Sequence, residues 1–216
     1  MKQFIIFCIA VFVLIPYTNS CKRSPTEPVE KDTARITPLK PNIYIYPEAK
    51  TDLFVSLKFP VGGSVTVSEP PYQNGWNITV EPSGRINDAY DYLFYESENP
   101  DLCQYKSGWV VKHTDLASFF TDNMLATGFS QREINDFLDY WIPILNSHPF
   151  YIIYPQYKSD IEKMIQLEFS HQPDNILRLF YTIKGSIDGE INLPEPLIPI
   201  FSRSGFSVAE WGVILK

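Results

Sequence analysis

The sequence has no pair of cysteines free to bridge. Its three are Cys8, Cys21 and Cys103. The first lies in an amino-terminal apolar run and the second follows the short polar break after that run. Cys103 is thereby left without an intramolecular partner, even in an oxidising compartment. The three histidines, His113, His148 and His171, are far apart, and neither HExxH nor a CxxC pair accompanies them. No metal centre and no cofactor is therefore expected. There is no P-loop, no GxGxxG and no GxSxG elbow, so nucleotide binding and a serine nucleophile have nothing to stand on. Positive charge is also scarce: 18 Lys and Arg against 25 Asp and Glu give a net charge of −7. That balance argues against nucleic acid as a partner and against holding anionic lipid through a basic face. The apolar run from Phe4 to Ile15 falls short of the roughly 20 residues that a membrane-spanning helix needs.

What is present begins with that run. A short positive start (Met1-Lys2-Gln3), the apolar stretch and a small polar break (Pro16 to Ser20) read as a secretory signal peptide over residues 1–20, ending before Cys21. A cysteine at that place is the arrangement of a bacterial lipoprotein precursor, with Cys21 as the lipidation site. Several acyl chains at one point anchor a protein stably, whereas one gives only marginal binding. Ser20 suits the peptidase, although Thr18 stands where a lipobox prefers Leu. Lys22 follows the cysteine, not Asp, which favours the outer membrane facing the periplasm. Residues 21–40, with Pro25, Pro28 and Pro38 among polar residues, read as a flexible tether, and a single globular domain is expected over 41–216.

Within that domain the period is mostly two. Ile43 and Ile45 alternate with Tyr44 and Tyr46, and Leu53, Val55, Leu57 and Phe59 share one face. Pro60-Val61-Gly62-Gly63 predicts a hairpin to Val65 and Val67. Further strand patterns occur at Trp76–Val80, Tyr90–Glu96, Trp109–Lys112, Phe150–Tyr154, Met164–Phe169, Ile176–Lys184 and Phe206–Leu215. Two helical stripes interrupt them. The first starts at Thr114 and ends at Gly128. The second starts at the capping box Ser130/Glu133 and ends or kinks near Trp141 because of Pro143. The expected fold is α+β: a mainly antiparallel, sandwich-like sheet with an inserted αα-hairpin.

Two carboxylates stand out. Glu96 closes Tyr92-Leu93-Phe94-Tyr95, and Glu210 lies in Ala209-Glu210-Trp211-Gly212. An acid held among aromatic residues is desolvated, which moves it towards the range of a general acid, and a facing pair would suit glycoside hydrolysis. Against this, each acid ends a strand and has cations at hand, Arg203 among them. Trp76, Trp109, Trp141 and Trp211, with Tyr44, Tyr46 and Tyr72, offer flat faces for sugar rings, yet they follow the strand and helix periods, which favours the core over a binding surface. Trp76, Trp109, Trp211 and Arg203 are the candidate binding residues. Cys103, in Asp101-Leu102-Cys103-Gln104, reads as a small half-buried residue and not as a thiolate served by His113 or His171. His113-Thr114-Asp115 reads as a helix start.

Several segments together resemble a family of uncharacterised secreted or lipid-anchored prokaryotic proteins. These are Lys40-Pro41-Asn42-Ile43-Tyr44-Ile45-Tyr46-Pro47-Glu48, Gly75-Trp76, Tyr92 to Glu96, Asn135 to Pro143, and Arg203-Ser204-Gly205-Phe206 through Glu210-Trp211-Gly212. Members open on a KPxIYxYPE-like stretch and close on a GFxxxEWG-like one. Tyr95 replaces the Trp usual in the third segment, and Val213 stands where a second Gly often follows. The resemblance implies no activity, ligand or catalytic residue. Two functions are therefore expected in competition. One is a non-catalytic binding or assembly domain of the cell envelope, partnered by the membrane through its lipid and by an envelope glycan or protein. The other is an envelope glycan or peptide hydrolase using Glu96 and Glu210.

Overall fold

Period-two patterning after Ala34 becomes eleven strands in two sheets. The computed structural model describes residues 34–216, so the signal peptide, Cys21 and most of the tether lie outside the described residues. The strands are β1 (Arg35–Ile36), β2 (Leu39–Tyr46), β3 (Thr51–Lys58), β4 (Ser64–Glu69), β5 (Trp76–Val80), β6 (Leu93–Pro100), β7 (Trp109–Lys112), β8 (Phe150–Tyr157), β9 (Gln166–Phe169), β10 (Asn175–Ser186) and β11 (Ser207–Leu215). Eight form the larger sheet in the order β1-β6-β2-β11-β10-β8-β7, with β4 also paired to β6, and the smaller sheet runs β5-β3-β9. Every pairing is antiparallel except β10 with β11.

The two faces of the larger sheet carry two cores. Ile43, Ile45, Leu93, Tyr95, Phe180 and Val208 meet Leu53, Val55, Trp76, Ile78 and Phe169 of the smaller sheet. The alternate residues Tyr44, Leu179, Tyr181, Trp211 and Val213 meet the helices α1 (Leu116–Thr127) and α2 (Gln131–Ile144). The molecule is thus layered: helix pair, eight-stranded sheet, three-stranded sheet. A strand covered on both sides loses the polar alternation of a half-exposed one, which is why β11 is buried along nearly its whole length. The α+β reading with its αα-hairpin stands. So do the left-handed Gly128 (φ 112°) after α1 and the reciprocal Ser130/Glu133 capping box of α2.

Four local expectations are corrected. Strand pairing begins at Arg35, ahead of Pro41, because Ile36 finds a buried place beside β6. β3 and β4 do not form a hairpin; β3 belongs to the small sheet and β4 pairs with β6 in the large one. Gly62 (φ 85°) and Gly63 (φ 142°) turn the chain between sheets, and a Cβ on Gly63 would lie 2.7 Å from the Glu98 carbonyl oxygen. α2 does not end at Trp141 but continues through Pro143 to Ile144, and Leu145 N–H still reaches Trp141 O at 3.0 Å. The parallel β10–β11 pair has no counterpart in the pattern, since its connection, residues 187–206, contains no helix.

Candidate functional site

Glu210 is sealed. It is 0% exposed, accepts from Arg178 Nε at 2.5 Å and from the Tyr95 hydroxyl at 2.8 Å, while Arg178 Nη1 donates to Ile165 O at 2.6 Å. Burial, and next the Glu210 charge, push the Tyr95 hydroxyl well above its ordinary value, so it stays a donor. This is a core ion pair with no route for a substrate. Glu96 follows Tyr95 on β6, and successive side chains of a strand point to opposite faces. Glu96 is half-buried on the far side of the sheet from Glu210. The two acids therefore do not face one groove, and the hydrolase expectation loses its geometry.

The other nominated residues are also placed by packing. Trp76 (2% exposed) donates its Nε1–H to Pro70 O at 2.8 Å and meets the Tyr72 ring edge-on. Trp211 (0% exposed) lies between Phe137 and Tyr44. Neither offers a face to a ligand, because strand alternation points both inwards. Trp109 is half-buried against Phe119. Arg203 does not serve Glu210. It pairs with the buried Glu133 of the capping box and donates to Gly128 O at 2.9 Å, and its guanidinium stands 5.6 Å from the Tyr46 ring centre. Burial pushes the Cys103 thiol up to about 12, so the half-buried reading holds.

The arrangement with functional character is at Lys40. Asn42 pairs with Trp211 and Leu39 with Val213, so Lys40 and Pro41 together oppose Gly212. This is a β-bulge, a device that re-aims a side chain. Pro41 fits inside a paired strand because the bulge asks no N–H of it. Gly212 leaves little room there: a Cβ would lie 3.0 Å from the Phe180 ring and 3.2 Å from Pro41, and these would have to give by a few tenths of an ångström. Lys40 takes φ 48°, the left-handed region, which costs a non-glycine residue about 1–2 kcal/mol.

The bulge directs the Lys40 ammonium among three rings, 4.8 Å from the centre of Tyr140, 5.0 Å from Phe94 and 5.7 Å from Tyr92. Cation–π contacts return about 0.5–1 kcal/mol each at exposed sites, enough to offset the strain without a clear surplus. Burial lowers the Lys40 pKa, opposed in turn by the charges of Asp136, Glu69 and Glu96. No carboxylate among the described residues comes within ion-pair distance of it. Asp136, on α2, is held by the Tyr44 hydroxyl at 2.9 Å. An open hollow of about 230 Å³ adjoins the ammonium, lined by Lys40, Glu69, Tyr90, Asp91, Tyr92 and Phe94. Donor, acceptors and aromatic faces are thus gathered from β2, β4, β6 and the turn before it, with α2 alongside.

Reading the sequence by residue type missed Lys40. The available signal was a proline inside an alternating strand, which marks a bulge. No protein-family model matches the chain, no curated protein is similar to it, and no solved structure matches it.

Proposed function

We propose that the chain is a lipid-anchored protein of the cell envelope, held to the outer membrane through Cys21 and facing the periplasm, whose domain binds without catalysing. The hollow beside Lys40 is its contact site, and an envelope glycan is the ligand its chemistry suits. A sugar ring offers an apolar C–H face to Tyr92 and Phe94 and hydroxyls to the Lys40 ammonium and the Glu69 and Asp91 carboxylates. At about 230 Å³ the hollow is smaller than the usual pocket for a drug-sized ligand, and is suited to a single sugar unit of a longer chain.

The observation that carries this reading is the left-handed bulge at Lys40. Strain kept at one residue, roughly matched by local contacts, points to a position held for what it meets. Three of the five segments behind the family resemblance supply residues here: Lys40, then Tyr92, Phe94 and Glu96, then Asp136 and Tyr140. The test is retention on insoluble peptidoglycan, with soluble chito-oligosaccharide as competitor. Wild-type protein is expected to be retained and competed off, and Lys40→Asn to pass through; equal behaviour of the two would refute the site. Anchoring is tested separately, because Cys21→Ser should abolish palmitate labelling and leave the precursor uncleaved.

A further inference from the structure

The connection from β10 to its parallel neighbour β11 spans residues 187–206 without helix or strand. Connections of that length without structure of their own are uncommon and are usually functional. The strap is nevertheless held down. Gly108 N–H donates to Pro194 O at 3.0 Å, Phe201 packs on Gly128, and Arg203 donates to Gly128 O. Between these pins the chain reads Pro194-Glu195-Pro196-Leu197-Ile198-Pro199-Ile200, and no charged residue stands between Glu195 and Arg203. Leu197 is 92% and Ile200 100% exposed, and Ile187 at the start of the strap is 88%. No other large apolar side chain among the described residues exceeds 48%. Scattered exposed apolar residues are ordinary, but three nearly bare ones on one pinned strap are not.

The backbone narrows what they can meet. Three of the seven residues from Pro194 to Ile200 are proline and have no N–H. A protein that adds the strap to its own sheet needs those donors. A groove that reads paired prolines needs both in view, and Pro196 is buried. A hydrocarbon surface asks for the opposite: bare aliphatic side chains on a backbone with few donors to leave unpaired. The place of the strap agrees. One loop, residues 101–108, holds the strap through Gly108 and donates from Asp101 N–H to Ala34 O at 2.7 Å, where the described chain begins. Seven residues span at most about 25 Å. The tether expected from Cys21 thus enters the domain beside the loop that pins the strap. Tyr105, 42% exposed, and the exposed Lys106 lie on that loop, and both residue types suit a membrane interface.

We propose that the strap is a lipid-contact element: Leu197, Ile198 and Ile200 enter the headgroup–acyl boundary of a bilayer, and the domain rests on the membrane that its lipid holds it to. This deepens the lipid-anchored reading above and rests on it for the choice of surface. The anchor keeps the strap at high effective concentration over the bilayer, so a weak intrinsic affinity suffices. The contact is apolar and not electrostatic, since the charges on the first half of the strap are Asp188, Glu190 and Glu195. The strap borders β7 and the end of β8, whereas the Lys40 hollow belongs to β6. β6 and β8 stand four strands apart in the larger sheet, about 19 Å at the usual spacing. Lipid and glycan therefore do not compete for one surface.

Thr33–Lys216 forms one compact unit that contains both cores, and it lacks Cys21, so it reads the strap without the anchor. The probe is flotation with equimolar phosphatidylethanolamine–phosphatidylcholine vesicles at about millimolar lipid, where a single acyl chain also binds marginally. The domain should float with them, high salt should not release it, and added phosphatidylglycerol should not tighten it. Ile200→Asp, at a fully exposed position, should weaken partitioning at least tenfold at unchanged unfolding free energy. Ile200→Trp should gain blue-shifted emission on vesicles that brominated acyl chains quench, while Lys58→Trp, on the outer face of the smaller sheet, should not. Failure to float, full binding by Ile200→Asp, or an Ile200→Trp emission that moves with envelope protein and not with lipid would each overturn the assignment. Loss of palmitate labelling at Cys21 would remove the anchor and leave the strap's own affinity in place, so the two failures are told apart.

Discussion

Strand β6 builds two polar sites on its opposite faces, and they behave differently. On one face Tyr95 joins Glu210 and Arg178 in a centre closed to solvent. On the other, Phe94 and Glu96 stand beside Lys40, whose ammonium opens onto a hollow. Both sites combine aromatic rings with charge, the composition first read as a catalytic signature. What separates them is cover. The face of Tyr95 lies under the smaller sheet, and on the face of Phe94 the hollow beside Lys40 stays open. Aromatic-flanked acids are thus a sign of desolvation, and only the neighbouring layer decides whether desolvation serves the fold or a ligand.

The largest effect should come from opening the closed centre. Arg178→Met leaves the Glu210 charge buried and unpaired and should cost about 3–5 kcal/mol in urea unfolding. Replacing both partners by apolar residues should recover much of that loss, as for a pair that gives structure and not net stability. Gly212→Ala tests the bulge behind the open site. It forces Phe180 and Pro41 to give way and should cost about 1–3 kcal/mol. Lys40→Asn should change stability by less than about 1 kcal/mol, since Asn accepts the left-handed backbone, yet it should remove glycan retention. A cost as large as that of Arg178→Met would erase the distinction between the two faces.

The smallest effects are in pH dependence, and they have opposite signs. Burial lowers Lys40 from 10.5, so the unfolded chain holds that proton more tightly. Its ammonium therefore costs stability near neutrality, and the cost disappears as pH rises through the folded value towards 10.5. Tyr157 is raised from 10.0 to about 12, so its contribution is full below pH 10 and is lost between pH 10 and 12. Unfolding measured across this range should show a shallower alkaline loss in Tyr157→Phe, and a steeper one in Lys40→Asn, than in wild type.

Much of the fold was legible because local signals and packing agreed. Gly128 caps α1, Ser130 and Glu133 cap α2, and the period-two stretches became strands. The failures have a common physical form. The Pro60–Gly63 turn was visible, but the chain's passage to another sheet depends on which face Val65 and Val67 cover, and that is a tertiary fact. The β10–β11 pair escaped because the expected sign of a parallel crossover is a helix, and here the crossover is a bare strap. The site was less legible than the fold. Glu96 and Glu210 were separable only by counting faces: Glu96 follows Tyr95, and Tyr95 touches Glu210. Lys40 carried its signal in Pro41 and Gly212, two residues with no chemistry of their own.

The central claim is that the open face of β6 holds a ligand and the closed face holds the fold. The most direct measurement is the affinity of wild type and Lys40→Asn for a soluble peptidoglycan fragment, taken alongside their unfolding free energies. Saturable binding by wild type, weakened at least tenfold in Lys40→Asn at nearly unchanged stability, is the predicted result. Equal affinity in the two proteins, or a loss of binding that only follows a loss of folding, would contradict it.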